Sequence, residues 1–156
     1  GSIDRISITG ANGQTLKEKW AGGPMTYLGI QSVGFPNMFT LVGPHNAATL
    51  CNIPRCIEQN VDWVTALIEH MRTHEYSRVE PRLDSESRWT AEVLAVGAES
   101  PFMKVNSWLS GINSNVESRQ KRVFQVYAGG APAYRSHCER EAENAYDGFR
   151  FDDQAG

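Results

Sequence analysis

Polar and apolar positions alternate around Ile6 and Ile8 in "RISITGANGQTL" before the chain meets Asn12-Gly13, a dipeptide that tolerates positive φ. This pattern predicts a strand followed by a tight turn. The runs "TYLGI" and "NMFTLVG", each preceded by a proline, are rich in aromatic and branched residues and predict two more strands, the second one buried. From Ile53 the apolar positions Ile57, Val61, Val64, Ile68 and Met71 recur at spacings of four, three, four and three, which predicts a helix with this set as its inner face. Asn52 is its expected N-cap, Pro54 fits a first turn whose amides lack intrahelical partners, and the helix should end near His74. A second helix is expected from Asp84, as cap, to about Val96, with Trp89, Val93 and Val96 on one face. A third should start at Pro132 with Tyr134, Cys138, Ala142, Ala145 and Tyr146 inward. Between these two helices lies a long segment with little apolar periodicity, and long loops are commonly functional or disordered.

A length of 156 residues suits one domain or a piece of one. A formal charge of −3 gives no support for a nucleic-acid partner or an anionic membrane surface, and no stretch is long and apolar enough to span a bilayer. A soluble, cytoplasmic protein is the resulting expectation. Cys51, Cys56 and Cys138 form no CxxC pair, so reduced thiols are expected rather than a disulfide framework or a zinc site.

Four features are candidates for chemistry. The "GPHN" turn leads from the expected buried strand into a helix N-terminus, whose amides and positive dipole end favour an electron-rich ligand group. Most βα turns of this kind bind nothing, so the pattern gives a mechanism without an identity. His70 and His74 share a helix face, but the tip of an exposed helix explains them better than a metal does. Arg119, Lys121 and Arg122 read as a solvated basic cluster. Trp108, in a polar loop, must either plug the core or cover a ligand.

The stretches "LKEKWAGGPMTYLG", "GFPNMF", "GPHNAATLCNIPRCIEQNVDWV", "NSWLSGIN" and "GGAPAYRSHCE…NAYDGF" together resemble, in order, the C-terminal portion of type I Baeyer–Villiger monooxygenases. The "AATLCN" loop and the "NSNVESRQKRV" insertion are more similar to members acting on large cyclic ketones. The resemblance implies an enzyme using FAD, NADPH and O2 to convert a ketone to an ester or lactone. It implies that the loop from Asn46 to Ile53 lies beside the flavin ring, with Asn52 and Ile53 at the cofactor and Ala47, Ala48, Thr49 and Leu50 shaping the ketone pocket. Trp108 matches the tryptophan of the family's mobile loop over NADP, which favours the ligand-covering role.

The implied fold class is α/β: the C-terminal part of a Rossmann-like FAD-binding domain, completed by residues 1–75, with residues 76–156 as a helical and loop extension over the cleft. The fold is expected to be incomplete. No GxGxxG occurs, and the family's catalytic arginine and aspartate lie outside this chain, so the isolated chain is expected to be inactive. Its expected partner is the missing N-terminal part of the same enzyme. Two alternatives remain: a stand-alone module binding a small apolar ligand, and a related flavoenzyme oxygenating nitrogen or sulfur, which is expected to lack the "SWLSG…APAYR" tail.

Overall fold

The computed structural model describes residues 5–47, 51–100 and 125–152. Helices and short strands follow in the order α1 (Leu16–Lys19), α2 (Ile53–Thr73), β1 (Val79–Pro81), α3 (Leu83–Glu99), α4 (Gly130–Glu143) and β2 (Phe149–Phe151). Among the described residues the fold is thus mixed helix and strand. The two strands pair antiparallel, with Glu80 opposite Arg150.

None of the three expected strands forms. The first is reduced to a single bridge, Thr9 with Thr15, around the predicted turn at Gly13 (φ 82°). "TYLGI" closes on itself through a bridge from Tyr27 to Gln31, and "NMFTLVG" is coil and turn. The backbone explains this: Leu28, Asn37, Val42 and His45 all have φ between 54° and 69°, which breaks an extended run and its ladder of hydrogen bonds. The chain therefore reaches the α2 loop through turns, not from the end of a strand.

Two buried carboxylates hold these turns. Glu86 on α3 accepts from the Val33 amide at 2.8 Å and from Lys19 Nζ at 2.9 Å. Glu80 on β1 accepts from the Gly34 amide at 2.8 Å and from Arg78 and Arg150. Burial opposes ionisation of Glu80, and its amide and two guanidinium partners outweigh that, leaving the carboxyl below its ordinary range.

Helix α2 has the expected bounds, with Asn52 as N-cap and His74 as C-cap, and buries Val64 and Met71 as expected, but its inner face is rotated away from the other expected residues. Its buried residues are Cys56, Asn60, Trp63, Val64, Leu67 and Met71. Ile57, Val61 and Ile68, expected inside, are each about 40% exposed, so α2 is apolar on two sides and the side that carries Trp63 faces the core. Trp63 packs against Tyr146 and Phe149 and donates from Nε1 to the Cys138 carbonyl on α4 at 2.8 Å. Helix α3 begins at Leu83 without a side-chain cap. Asp84 is already helical and pairs with Arg88. Helix α4 begins at Gly130, two residues before Pro132, and Ala145 lies beyond its end and is exposed. A stack of Trp89 on Tyr127, edged by His137, joins α3 to the segment entering α4.

Candidate functional site

The turn Pro44–Ala47 is fixed from three directions. From below, Tyr134 on α4 donates to the Leu28 carbonyl at 2.7 Å and accepts from Asn46 Nδ2 at 2.7 Å. From α2, Asn60 Oδ1 accepts from Asn46 Nδ2 at 2.9 Å and from the Val42 amide at 3.0 Å. From the segment leading into α4, the Gln125 carbonyl accepts from the His45 amide at 2.8 Å and the Tyr127 amide donates to the Asn46 carbonyl at 3.1 Å. Tyr134, Asn46 and Asn60 are all fully or almost fully buried, and burial raises the Tyr134 phenol well above its usual range, so it acts as a neutral donor. Asn46 Oδ1 alone in this cluster is buried without a partner. His45 is buried as well, with Nδ1 at 3.2 Å from Thr26 Oγ1.

The helix end beyond this turn follows the sequence reading. Asn52 Oδ1 accepts from the Arg55 amide, and its side chain is exposed. Asn52→Ala is expected to cost about 1 kcal/mol through loss of the cap, measurable as a lowered urea midpoint of the chain. Ile53 is 54% exposed at the positive end of the helix dipole, an apolar surface on the first turn. Ala47 is fully buried within the main core, so its methyl faces inward. Ala48, Thr49, Leu50, Trp108 and the basic cluster of Arg119, Lys121 and Arg122 lie outside the described residues.

Other expectations fare variously. Cys51 and Cys56, expected as separate thiols, are joined by a disulfide, while Cys138 is a buried free thiol pushed up to about 11 by burial. Their spacing of five gives no recognised motif, but it places them on either side of the N-cap. His70 and His74 pack ring against ring, tilted, with centroids 4.2 Å apart, as part of an aromatic row with Tyr76 and Phe151, and no group of three or more metal-ligating side chains occurs among the described residues. Sequence reading missed Asn60. Its signal was a polar residue in helical register with Cys56, Trp63 and Val64.

No family model matches the chain. Curated relatives do. The chain is 41% identical over 149 residues, 96% of its length and 27% of the relative's, to 2-oxo-Δ(3)-4,5,5-trimethylcyclopentenylacetyl-CoA monooxygenase of Pseudomonas putida. It is 30% identical over 146 residues, 94% of its length and 26% of the relative's, to a Baeyer–Villiger monooxygenase of Pseudooceanicola batsensis. A solved structure described as OTEMO in complex with FAD and NADP superposes with a TM-score of 0.87 and 41% identity, covering 97% of this chain and 27% of that one. The chain is homologous to a segment of Baeyer–Villiger monooxygenases.

The chain spans about a quarter of the length of the curated relatives it matches, 27% in the first of them. A phenazine N-monooxygenase of Lysobacter antibioticus is 36% identical over 96% of the chain and 27% of its own length. An N-oxygenating relative thus matches nearly the whole chain, and the tail expected to separate carbon from nitrogen oxygenation does not do so. Among the described residues, no helix is long and apolar enough to cross a membrane.

Proposed function

We propose that this chain is part of an enzyme that uses FAD and NADPH to insert one atom of O2 beside a ketone carbonyl, giving an ester or lactone. The observation that carries the reading is the 41% identity to such a monooxygenase over 96% of the chain, beside a Pro44–Ala47 turn held by hydrogen bonds ahead of a capped helix N-terminus. Bound FAD would supply the reduction of O2, with NADPH as electron source. This chain's residues would do the positioning. Ile53 offers an apolar surface and the α2 amides a positive end, which suits one edge of a flat, electron-rich ring. Ala48, Thr49 and Leu50 form the ketone-side wall, anchored by the buried Ala47 and Asn46. Trp108 holds the nicotinamide end of NADP and helps exclude water. Residues 1–75 complete the FAD-binding domain and residues 76–156 extend over the cleft. The remainder of the enzyme covers the exposed α2 face of Ile53, Ile57, Val61 and Ile68, all at least 40% exposed here.

A second reading, oxygenation of a ring nitrogen with the same cofactors, is favoured by the phenazine N-monooxygenase match. One experiment addresses both. The chain is co-expressed with the N-terminal portion of a relative, the complex is purified, and flavin absorbance and NADPH oxidation are recorded with a cyclic ketone and with a phenazine. Ester formation supports the first reading and N-oxide formation the second. Trp108→Ala is expected to lower NADP-dependent turnover roughly tenfold or more through loss of one hydrogen bond to the cofactor. A chain that binds no partner and yields no flavin complex overturns both.

A further inference from the structure

We propose that Cys51 and Cys56 are a reversible thiol oxidation site that fastens the residue before the N-cap of α2 to the first turn of that helix. With Asn52 as N-cap, Cys51 holds the position before the cap and Cys56 the fourth helical position. Those are the two positions whose side chains meet in a hydrophobic staple and fix the angle at which a chain runs into its helix. Here both are cysteines, and the contact is a covalent bond between Cα atoms 6.7 Å apart. This separation lies within the range disulfides span. Cys56 is buried with Ala131, and Val42 and Cys51 pack against them, so the staple also ties α2 to the start of α4.

The two sulfurs are unequally placed. Cys51 is half-buried and can be reached from solvent, whereas Cys56 is 3% exposed. Both lie at a helix N-terminus, a setting that favours thiolates. With a hydroperoxide as oxidant, the Cys51 thiolate attacks one peroxide oxygen, the O–O bond breaks, and a sulfenic acid forms as the leaving oxygen takes up a proton. The Cys56 thiolate then attacks the Cys51 sulfur and the sulfenic hydroxyl leaves as water. Two thiols lose two electrons and two protons to the peroxide, and a dithiol reductant restores them by exchange. Cys138, fully buried in α4, takes no part. The staple's effect on a ketone-side loop rests on the flavoenzyme reading; the pairing itself does not.

The test uses the chain in reduced and in hydrogen-peroxide-treated form. Alkylation under denaturing conditions should label three cysteines after reduction and Cys138 alone after oxidation, with a peptide joining Cys51 to Cys56. Hydrogen exchange in the peptide spanning residues 51–57 should slow roughly tenfold on oxidation. Cys51→Ser should abolish both changes while keeping a small polar side chain at the position before the cap. Persistence of all three thiols, a link to Cys138, or exchange that ignores oxidation each overturns the proposal. None of these readouts involves flavin or turnover, so failure here is distinct from failure of the flavoenzyme reading.

Discussion

Glu86→Ala should destabilise the chain by about 3–5 kcal/mol, the range for removing one partner of a buried ion pair. The carboxylate is fully buried and serves two donors: the Val33 amide and Lys19, whose own side chain is only 11% exposed. Alanine strands both. Glu86→Gln should cost far less, since an amide oxygen can still accept from Val33. The pH dependence separates these effects. Burial raises the Glu86 carboxyl above its ordinary value, and Lys19 and the Val33 amide only partly offset this. The folded state therefore binds the proton more tightly than the unfolded chain does. The stabilisation is fully present below the unfolded value near 4.5 and is lost as pH rises through the higher folded value. Urea midpoints measured across this window should show wild type losing ground to Glu86→Gln as pH rises. A wild-type advantage over Glu86→Gln that grows with rising pH would contradict the assignment.

The contrast between α2 and the segment before it shows which parts of the fold were local. The bounds of α2 were legible because Asn52, Pro54 and His74 act within a turn of themselves. Its buried face was not, because Ile57, Val61 and Ile68 carry helical periodicity on one side while Trp63, Leu67 and Asn60 carry it on another. Choosing between two apolar faces needs the partner, here α4 and β2. The expected strands failed for a related reason. Branched and aromatic residues favour an extended backbone only where another strand receives their hydrogen bonds. Residues 26–47 instead donate amides to Glu80, Glu86 and Asn60 and accept at the Leu28 carbonyl from Tyr134, and the resulting turns require left-handed conformations at Leu28, Val42 and His45. Strands β1 and β2 were illegible because each is three residues long and pairs across most of the intervening sequence. At the candidate site, the capped helix and its loop could be read directly. The Tyr134–Asn46–Asn60 cluster and the cysteine pair depend on contacts that no single spacing encodes.

Gly29→Ala is the substitution expected to disturb that loop most directly. Gly29 has φ 66°, and a Cβ there would stand 2.7 Å from the Asn46 amide nitrogen, 2.9 Å from the Pro44 carbonyl oxygen and 3.0 Å from the His45 carbonyl carbon. All three are backbone atoms and cannot rotate away. Left-handed strain of about 1–2 kcal/mol adds to an overpacking cost of about 1–3 kcal/mol, for a total loss of roughly 2–5 kcal/mol. Gly13, with φ 82° and open space where its Cβ would sit, is the matched control: Gly13→Ala carries the backbone strain alone and should cost only about 1–2 kcal/mol. The displaced backbone at Gly29→Ala is the one that donates from His45 to Gln125 and accepts at Asn46 from Tyr127. Hydrogen exchange at the His45 and Tyr127 amides should therefore accelerate in Gly29→Ala and remain unchanged in Gly13→Ala. Equal melting temperatures for the two variants would show that the Pro44–Asn46 turn yields without cost, and a turn so compliant would count against the ketone-side role proposed for the residues that follow it.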